Sequence, residues 1–330
     1  MNEFDTKFAR GQFTRVGMGL FGFIAGSFAV QITMTILATL LFPEVLYEDW
    51  FLILMGALAT YGAGMPIAIG IIRSGAKSVF QPSCKMGFKD FMLAFCAMYG
   101  ITIVGNQIGT TLMGFAEGIT GKEISNPVVS DYEGWSFWMN IFMLMVLAPV
   151  LEELLFRKCI IDAILPYGEG TAIIVSAVTF GLAHGNFFQF FYSAGVGLLF
   201  AYIYIKTGKI RNTMILHAAL NFVGGTIPLL MMEWSEQLTD ITGFSDIGAM
   251  LSALNDMGFK AVAVLVFSYI MSGIGIAGII ILIFKKKQFK LNKPAMPIPA
   301  GQWFITVFVN VGIILFVVLS SLLFIGNILA

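Results

Sequence analysis

Long apolar stretches dominate this chain, and short polar segments separate them. A membrane-spanning helix needs about 20 consecutive, mainly apolar residues. Nine stretches approach that length, and they occupy residues 16–42, 50–72, 90–115, 136–165, 170–187, 188–205, 211–232, 260–284 and 302–327. The fifth and sixth are the least clearly separated, because the segment HGNFFQFF between them carries no strong break. The pattern predicts an all-α, polytopic helical membrane bundle with about eight or nine transmembrane helices.

The composition agrees with membrane insertion. Apolar residues make up 58% of the 330 residues and charged residues only 12%, with a mean hydropathy of +0.88. A soluble domain has about 45–50% apolar and about 25% charged residues. The first apolar stretch is too long for the core of a signal peptide and has no clear cleavage site, so we expect it to be retained. We therefore expect one integral membrane domain, 1–330, with membrane lipids around it and no nucleic-acid partner.

Basic residues are distributed unevenly between the predicted loops. Lys and Arg favour the cytoplasmic side of a membrane. With a cytoplasmic N-terminus, 17 of the 19 Lys and Arg residues fall on the inner side, and Lys122 and Lys260 fall outside. The inner group is Lys7, Arg10, Arg15, Arg73, Lys77, Lys85, Lys89, Arg157, Lys158, Lys206, Lys209, Arg211, Lys285, Lys286, Lys287, Lys290 and Lys293. The predicted outer loops are acidic, with Glu44, Glu48, Asp49, Glu117, Glu123, Asp131, Glu133, Glu233, Glu236, Asp240, Asp246 and Asp256.

Residues 136–232 differ from the other apolar stretches because they carry ionisable side chains. The segment APVLEELLFRKCI (148–160) contains Glu152, Glu153 and Arg157, and charges inside a membrane are costly and often functional. Residues four apart share a helix face, so we expect Glu153 to pair with Arg157 and Glu152 to face something else. A second interpretation is a helix end whose charges reach inner-face water. Arg157 and Lys158 fit that interpretation better than the two short acidic side chains do.

The two histidines of the chain follow within 70 residues of these glutamates. His184 ends a predicted helix, and Phe180 lies one turn earlier, where it could form a wall of a site. His217 and Asn221 share a helix face one turn apart, and Thr213 continues that face. Purely structural roles, as an interfacial histidine and as polar contacts between helices, are also possible for these residues. A site is the stronger interpretation because all these side chains occur together.

These side chains can activate water. A carboxylate and a neutral imidazole can hold and deprotonate a water molecule. A second imidazole and an amide can donate hydrogen bonds to a developing oxyanion. The combination is typical of a water-activating hydrolase.

Three motifs, E-E-x-x-x-R, F-x-x-x-H and H-x-x-x-N, occur in this order on separate predicted helices. They resemble those of the CPBP superfamily, which contains the type II CAAX-processing endopeptidases and their bacteriocin-processing or immunity (Abi) relatives. The resemblance implies an intramembrane glutamate endopeptidase that cleaves membrane-associated or peptide-precursor substrates in a bacterial cell membrane. It also implies a catalytic core at 136–232, with 1–135 and 233–330 as accessory helices. By this resemblance, Glu152 and His184 activate water, His217 and Asn221 form the oxyanion hole, and Arg157 holds Glu153.

The sequence is also compatible with different functions. The resemblance predicts no cofactor, but Glu152, His184 and His217 could bind zinc, although no H-E-x-x-H motif is present. The three cysteines, Cys84, Cys96 and Cys159, suggest neither a disulfide framework nor a metal knuckle. A non-catalytic immunity or scaffold protein would carry the same motifs, and a proton-coupled transporter could use the same Glu and His side chains as a relay.

The predicted depths of the two histidines differ. With helices that start at the inner face, His184 lies about 21 Å from that face and His217 about 9 Å. They can meet only if helices are tilted, staggered or broken. We expect the helix at 136–165 to protrude inside and the site to line a water-filled cavity that opens inward.

Overall fold

A computed structural model describes residues 3–73, 84–130, 135–242 and 246–329. Within these ranges, the regular structure is helical throughout. Nine principal helices follow one another: α1 Glu3–Leu41, α2 Asp49–Arg73, α3 Phe88–Thr120, α4 Phe137–Tyr167, α5 Glu169–Ala183, α6 Phe187–Thr207, α7 Ile210–Leu230, α8 Phe259–Gln288 and α9 Val311–Leu329. The predicted helical membrane bundle is therefore confirmed. Three charges used in the orientation argument, Lys77, Asp131 and Glu133, lie outside the described residues.

Eight of these helices are long and apolar enough to cross a membrane, and α5 is shorter. Its 15 residues span about 22 Å, against a hydrocarbon thickness of about 30 Å. The predicted helix at 170–187 is too long because Gly185 takes a left-handed conformation (φ 68°). Asn186 then caps α6 by accepting a hydrogen bond from the Gln189 backbone N–H. This turn is the break that HGNFFQFF did not show clearly.

The last predicted helix, 302–327, is divided in two. A short helix, Ala300–Val307, precedes α9. Asn310 lies between them, and its side chain donates to the Val307 carbonyl and accepts from the Ile313 N–H. This buried amide therefore satisfies one backbone group at each helix end, which stabilises the break in the chain here.

Small residues allow close packing around the core. A side chain at Gly278 of α8 would overlap the Cys96 carbonyl of α3, and one at Gly312 of α9 would overlap the Thr14 carbonyl of α1. Such contacts are typical of membrane helices, which associate through tight packing. Helix α8 thus packs closely on α3, and α9 packs closely on α1.

The helix that carries both glutamates departs from regular α-helical geometry. Ala148–Glu153 is α-helical, whereas the flanking stretches Ile141–Leu147 and Leu154–Ile161 are π-helical. A further π-helical stretch, Phe222–Thr226, directly follows Asn221 on α7. π-Helical turns leave backbone groups out of the usual pattern and are frequent at functional sites.

The end of the bundle that carries most lysines is closed by hydrogen bonds. We call segments 84–89, 206–211 and 285–300 the basic end. Lys206 forms an ion pair with Glu169 at 2.6 Å, and the backbone and side chain of Asn292 also donate to the Glu169 carboxylate. Trp303 donates to the Thr171 hydroxyl at 2.9 Å. These contacts tie the 285–300 segment to α5 and α6.

Candidate active site

The floor of the site is a buried ion pair. Glu153 and Arg157 are fully buried, with Oε2 and Nε 3.1 Å apart, so the predicted pair is confirmed. The guanidinium lies over the Phe180 ring at 4.2 Å and near the Phe200 ring at 5.6 Å. Cation–π attraction of this kind strengthens when the groups are removed from water. Arg157 therefore lies inside the bundle, and its placement among the inner-face cations in the sequence argument is wrong.

His217 lies between the two glutamates. Its Nδ1 is 3.1 Å from Glu153 Oε1, and its Nε2 is 3.8 Å from Glu152 Oε2. A carboxylate paired with Arg157 only accepts hydrogen bonds, so Nδ1 of His217 is the donor. In the neutral imidazole, Nε2 is then an acceptor that faces the second carboxylate. When its imidazole is neutral, His217 therefore presents an acceptor beside Glu152, and both acceptors face the same space.

His184 lies on the other side of Phe180. Its Nδ1 donates to the Phe180 carbonyl at 2.8 Å, and Ser193 Oγ lies 3.4 Å from its Nε2. The Phe180 ring centroid is 4.9 Å from the His184 ring and 5.8 Å from the His217 ring. Phe180 therefore connects the two imidazoles despite their different positions along α5 and α7.

Asn221 is anchored to the irregular part of α4. Its Nδ2 donates to the Leu144 carbonyl at 2.7 Å. In the π-helical pattern, the Ala148 N–H bonds the Met143 carbonyl, so the next N–H would bond Leu144. The next residue is Pro149, which has no N–H. The Asn221 amide thus satisfies a carbonyl that the proline leaves free.

A cavity of about 800 Å³ joins these groups. This volume is in the range of small-molecule binding sites. Five predicted residues line it: Glu152, Phe180, His184, His217 and Asn221. Glu153 and Arg157 lie beneath its floor, where they support His217. The structure therefore brings all seven predicted residues into one site, five at its surface and two below.

Four polar residues at the start of α6 line the cavity and were missed from the sequence: Asn186, Gln189, Tyr192 and Ser193. Gln189 donates to the Tyr192 hydroxyl at 3.1 Å, and Ser193 faces His184. The Asn186 amide in turn donates to the Gln189 side chain at 2.9 Å. The available signal was the spacing of polar residues at 186, 189 and 192–193, which share one helix face directly after His184.

The cavity opens away from the basic end. We call segments 42–49, 120–130 and 231–258 the acidic end. Among described residues, the cavity continues from Glu152 to Asn126 and Ser235 of the acidic end and to Asn327 near the end of α9. The expected opening toward the inner, basic side is therefore wrong. Two features account for this: α5 stops short at Ala183, and hydrogen bonds close the basic end.

Among the residues that the structure describes, no group of three or more His, Cys, Asp or Glu side chains is arranged to hold a metal ion. The suggested zinc ligands, Glu152, His184 and His217, line one cavity without forming such a group.

The similarity to known proteins is concentrated in the motif region. The family model for type II CAAX prenyl endopeptidases, Rce1-like, matches residues 134–223. Human CAAX prenyl protease 2 is 28% identical over 134 residues, which are 34% of this chain and 41% of the relative. The putative membrane peptidase YdiL of Bacillus subtilis is 31% identical over 168 residues, 50% of this chain and 68% of the relative. The membrane-embedded CAAX protease MroQ of Staphylococcus aureus is 29% identical over 111 residues, 32% of this chain and 45% of the relative.

The match to the human relative and to its Arabidopsis thaliana counterpart spans about two fifths of their length. No solved structure matches the chain significantly. The match to YdiL covers more than two thirds of that relative, and the family model includes all three motifs. The chain is therefore a member of the Rce1-like family, the type II CAAX prenyl endopeptidases, which its three motifs predicted.

Proposed function

We propose that this protein is an intramembrane endopeptidase that hydrolyses peptide bonds with a glutamate as its general base. One observation carries the proposal: His217 Nε2 faces Glu152 Oε2 at 3.8 Å on the cavity floor while Glu153 holds Nδ1. The names of the relatives, CAAX proteases and a putative membrane peptidase, support the reaction class. Bacterial relatives support a bacterial cell membrane as its location, with membrane-associated or precursor peptides as substrates.

Water is the donor that these two acceptors need. A water molecule can donate one hydrogen to Glu152 and the other to His217 Nε2 while lying about 2.8 Å from each acceptor. Its oxygen lone pairs then point away from both and toward the cavity. Glu152 removes one proton as the oxygen attacks the scissile carbonyl. The same carboxylic acid returns this proton to the leaving amine, so Glu152 ends the cycle ionised.

Glu153 and Arg157 position His217. The buried guanidinium keeps Glu153 ionised as an acceptor, and Glu153 keeps the His217 proton on Nδ1. Without this carboxylate, the imidazole could take the opposite tautomer and donate to Glu152. The bridging water would then lose one of its two acceptors.

Asn221 stabilises the oxyanion in this proposal. Asn221 Nδ2 has two hydrogens, of which the Leu144 carbonyl takes one and the cavity side can take the other. His184 carries its proton on Nδ1, which donates to the Phe180 carbonyl, so Nε2 of the neutral imidazole is an acceptor that the Ser193 hydroxyl faces. The proposal pairs Glu152 with His217 instead of His184, the histidine that the family resemblance implies, because the imidazole nitrogen within 4 Å of Glu152 belongs to His217.

The test compares two glutamate variants of the purified protein with a library of membrane-proximal peptides. Glu152→Gln keeps the shape of the side chain and removes the base, so we expect cleavage to fall by a factor of about 10² to 10⁴. Glu169→Gln is the matched control, since Glu169 lies at the basic end away from the cavity. Its cleavage rate should equal that of the wild type.

Equal cleavage by wild type and Glu152→Gln would contradict the mechanism. Cleavage by neither protein across the library would favour a non-catalytic immunity or scaffold protein. Loss of wild-type cleavage with phenanthroline would instead assign Glu152, His184 and His217 to zinc.

A further inference from the structure

We infer that the substrate enters the cavity from the acidic end as an extended, positively charged peptide segment. The inference rests on the proposed function and on the orientation that the basic residues predict. The catalytic residues by themselves specify neither the side of entry nor the charge of the substrate.

The cavity runs from the catalytic residues toward the acidic end. Its floor carries Glu152 and His217, and its far rim carries Asn126, Ser235 and Asn327. On the opposite side, Lys206, Glu169 and Asn292 form a connected set of hydrogen bonds. With the basic end in the cytoplasm, the rim faces the outer side of the membrane.

The charge around the rim is a second argument for this inference. Ser235 lies on the short helix Met232–Thr242 between the exposed residues Glu233 and Glu236. The described residues on the predicted outer side include two basic residues, Lys122 and Lys260. Their acidic neighbours are Glu44, Glu48, Asp49, Glu117, Glu123, Glu233, Glu236, Asp240, Asp246 and Asp256. This field attracts cations toward the rim and repels anionic peptides.

The lining of the cavity is the third argument. Amide side chains of Asn106, Gln189 and Asn327 line its walls together with the Tyr192 hydroxyl. Backbone N–H groups of an extended peptide can pair with the amide and hydroxyl oxygens of such side chains. A hydrocarbon chain would bury these groups unpaired, which is costly.

The length of the cavity sets the size of the bound segment. His217 at the floor and Met232 near the rim are 15 residues apart, which corresponds to about 22 Å along a helix. An extended peptide rises about 3.3 Å per residue. The space between floor and rim therefore accommodates about six residues on one side of the scissile bond.

Cysteine labelling tests this inference without any need for cleavage. The background variant carries Glu152→Gln with Cys96→Ala and Cys159→Ala, and it retains Cys84, which is exposed at the basic end. Ser235→Cys then reports on the rim. Ser252→Cys is the matched control, because Ser252 is exposed on the acidic side and does not line the cavity.

In right-side-out membrane vesicles, a charged, impermeant maleimide should label Ser235→Cys and Ser252→Cys but not Cys84. Inverted vesicles should give the opposite result. A lysine–serine octapeptide at about ten times its Kd should slow labelling of Ser235→Cys about tenfold and leave Ser252→Cys unchanged. High salt should weaken this protection.

Labelling of Ser235→Cys from the same side as Cys84 would overturn the entry side. Equal protection by a glutamate–serine octapeptide or by a farnesylated tetrapeptide would overturn the charge and peptide preference. Because Glu152→Gln is inactive by design, either result is separate from a failure of the proposed catalytic mechanism.

Discussion

The basic end of this bundle and the floor of its cavity use polar side chains in opposite ways. At the basic end, Glu169 is surrounded by donors from Lys206 and Asn292, and the chain closes over it. At the cavity floor, Glu152 faces an imidazole at 3.8 Å, too far for a direct hydrogen bond, and it is partly exposed. A glutamate with all its partners stabilises the fold, whereas one held short of its partner can act on a third molecule.

The difference separates stability from activity. Changes at the basic end should weaken folding and leave cleavage intact, whereas a change of Glu152 at the cavity surface should lower cleavage and leave folding intact. The buried pair beneath the floor and the Asn221 amide contribute to both folding and cleavage. The buried pair is the position where one substitution should have the largest combined effect.

Removing the cation beneath the floor is expected to cost the most. Arg157→Met leaves the Glu153 carboxylate fully buried without its counter-charge, which destabilises by about 3–5 kcal/mol. Unfolding in detergent, followed by circular dichroism, measures this loss. The double variant Arg157→Met/Glu153→Gln should recover much of the stability but none of the cleavage. Recovery of cleavage would show that the pair does not position His217.

Replacement of Asn221, whose amide connects α7 to α4, is expected to have the next largest effect. Asn221→Leu leaves the Leu144 carbonyl without its partner, at a cost of about 1–3 kcal/mol. Loss of an oxyanion donor should also lower kcat by about 10²-fold to 10³-fold. Adding Pro149→Ala supplies an N–H for that carbonyl, so stability should return while kcat stays low. A double variant with restored kcat would restrict Asn221 to a structural role.

The closed end should respond in stability alone. Glu169→Gln removes the charge that pairs with the nearly buried Lys206, and we expect a loss of about 1–3 kcal/mol. Thermal unfolding and the cleavage assay, performed on the same preparation, measure both quantities. A changed cleavage rate at unchanged stability would contradict the assignment of the basic end to stability and of the cavity floor to cleavage.

The smallest effect is expected for Trp303, which lies at the edge of the basic end. Trp303→Phe keeps the aromatic ring and removes the N–H that bonds the Thr171 hydroxyl, so the loss should be about 0.5–1.5 kcal/mol. Cleavage should not change. Denaturant midpoints of Trp303→Phe, Glu169→Gln and the double variant test whether the two stability losses add. The losses of contacts within one network usually do not add.

Spacing on a helix was sufficient to predict several contacts. Glu153 and Arg157 are four residues apart, and their ion pair follows from helix geometry wherever the helix packs. The grouping of Glu152, His184, His217 and Asn221 followed from their scarcity in an apolar chain. Two helix boundaries were wrong, because a glycine turn at Gly185 and a capping amide at Asn310 ended helices inside apolar stretches.

Sequence alone determined the membrane bundle, the uneven charge of its two sides and the identity of the charged groups within it. These follow from local rules: hydrocarbon thickness, helical spacing and the cost of buried charge. Only tertiary structure decided that His217 faces Glu152 and that the cavity opens at the acidic end. Those features depend on how far α5 reaches and on which helix supplies each hydrogen-bond partner, and both are set by contacts between residues distant in the chain.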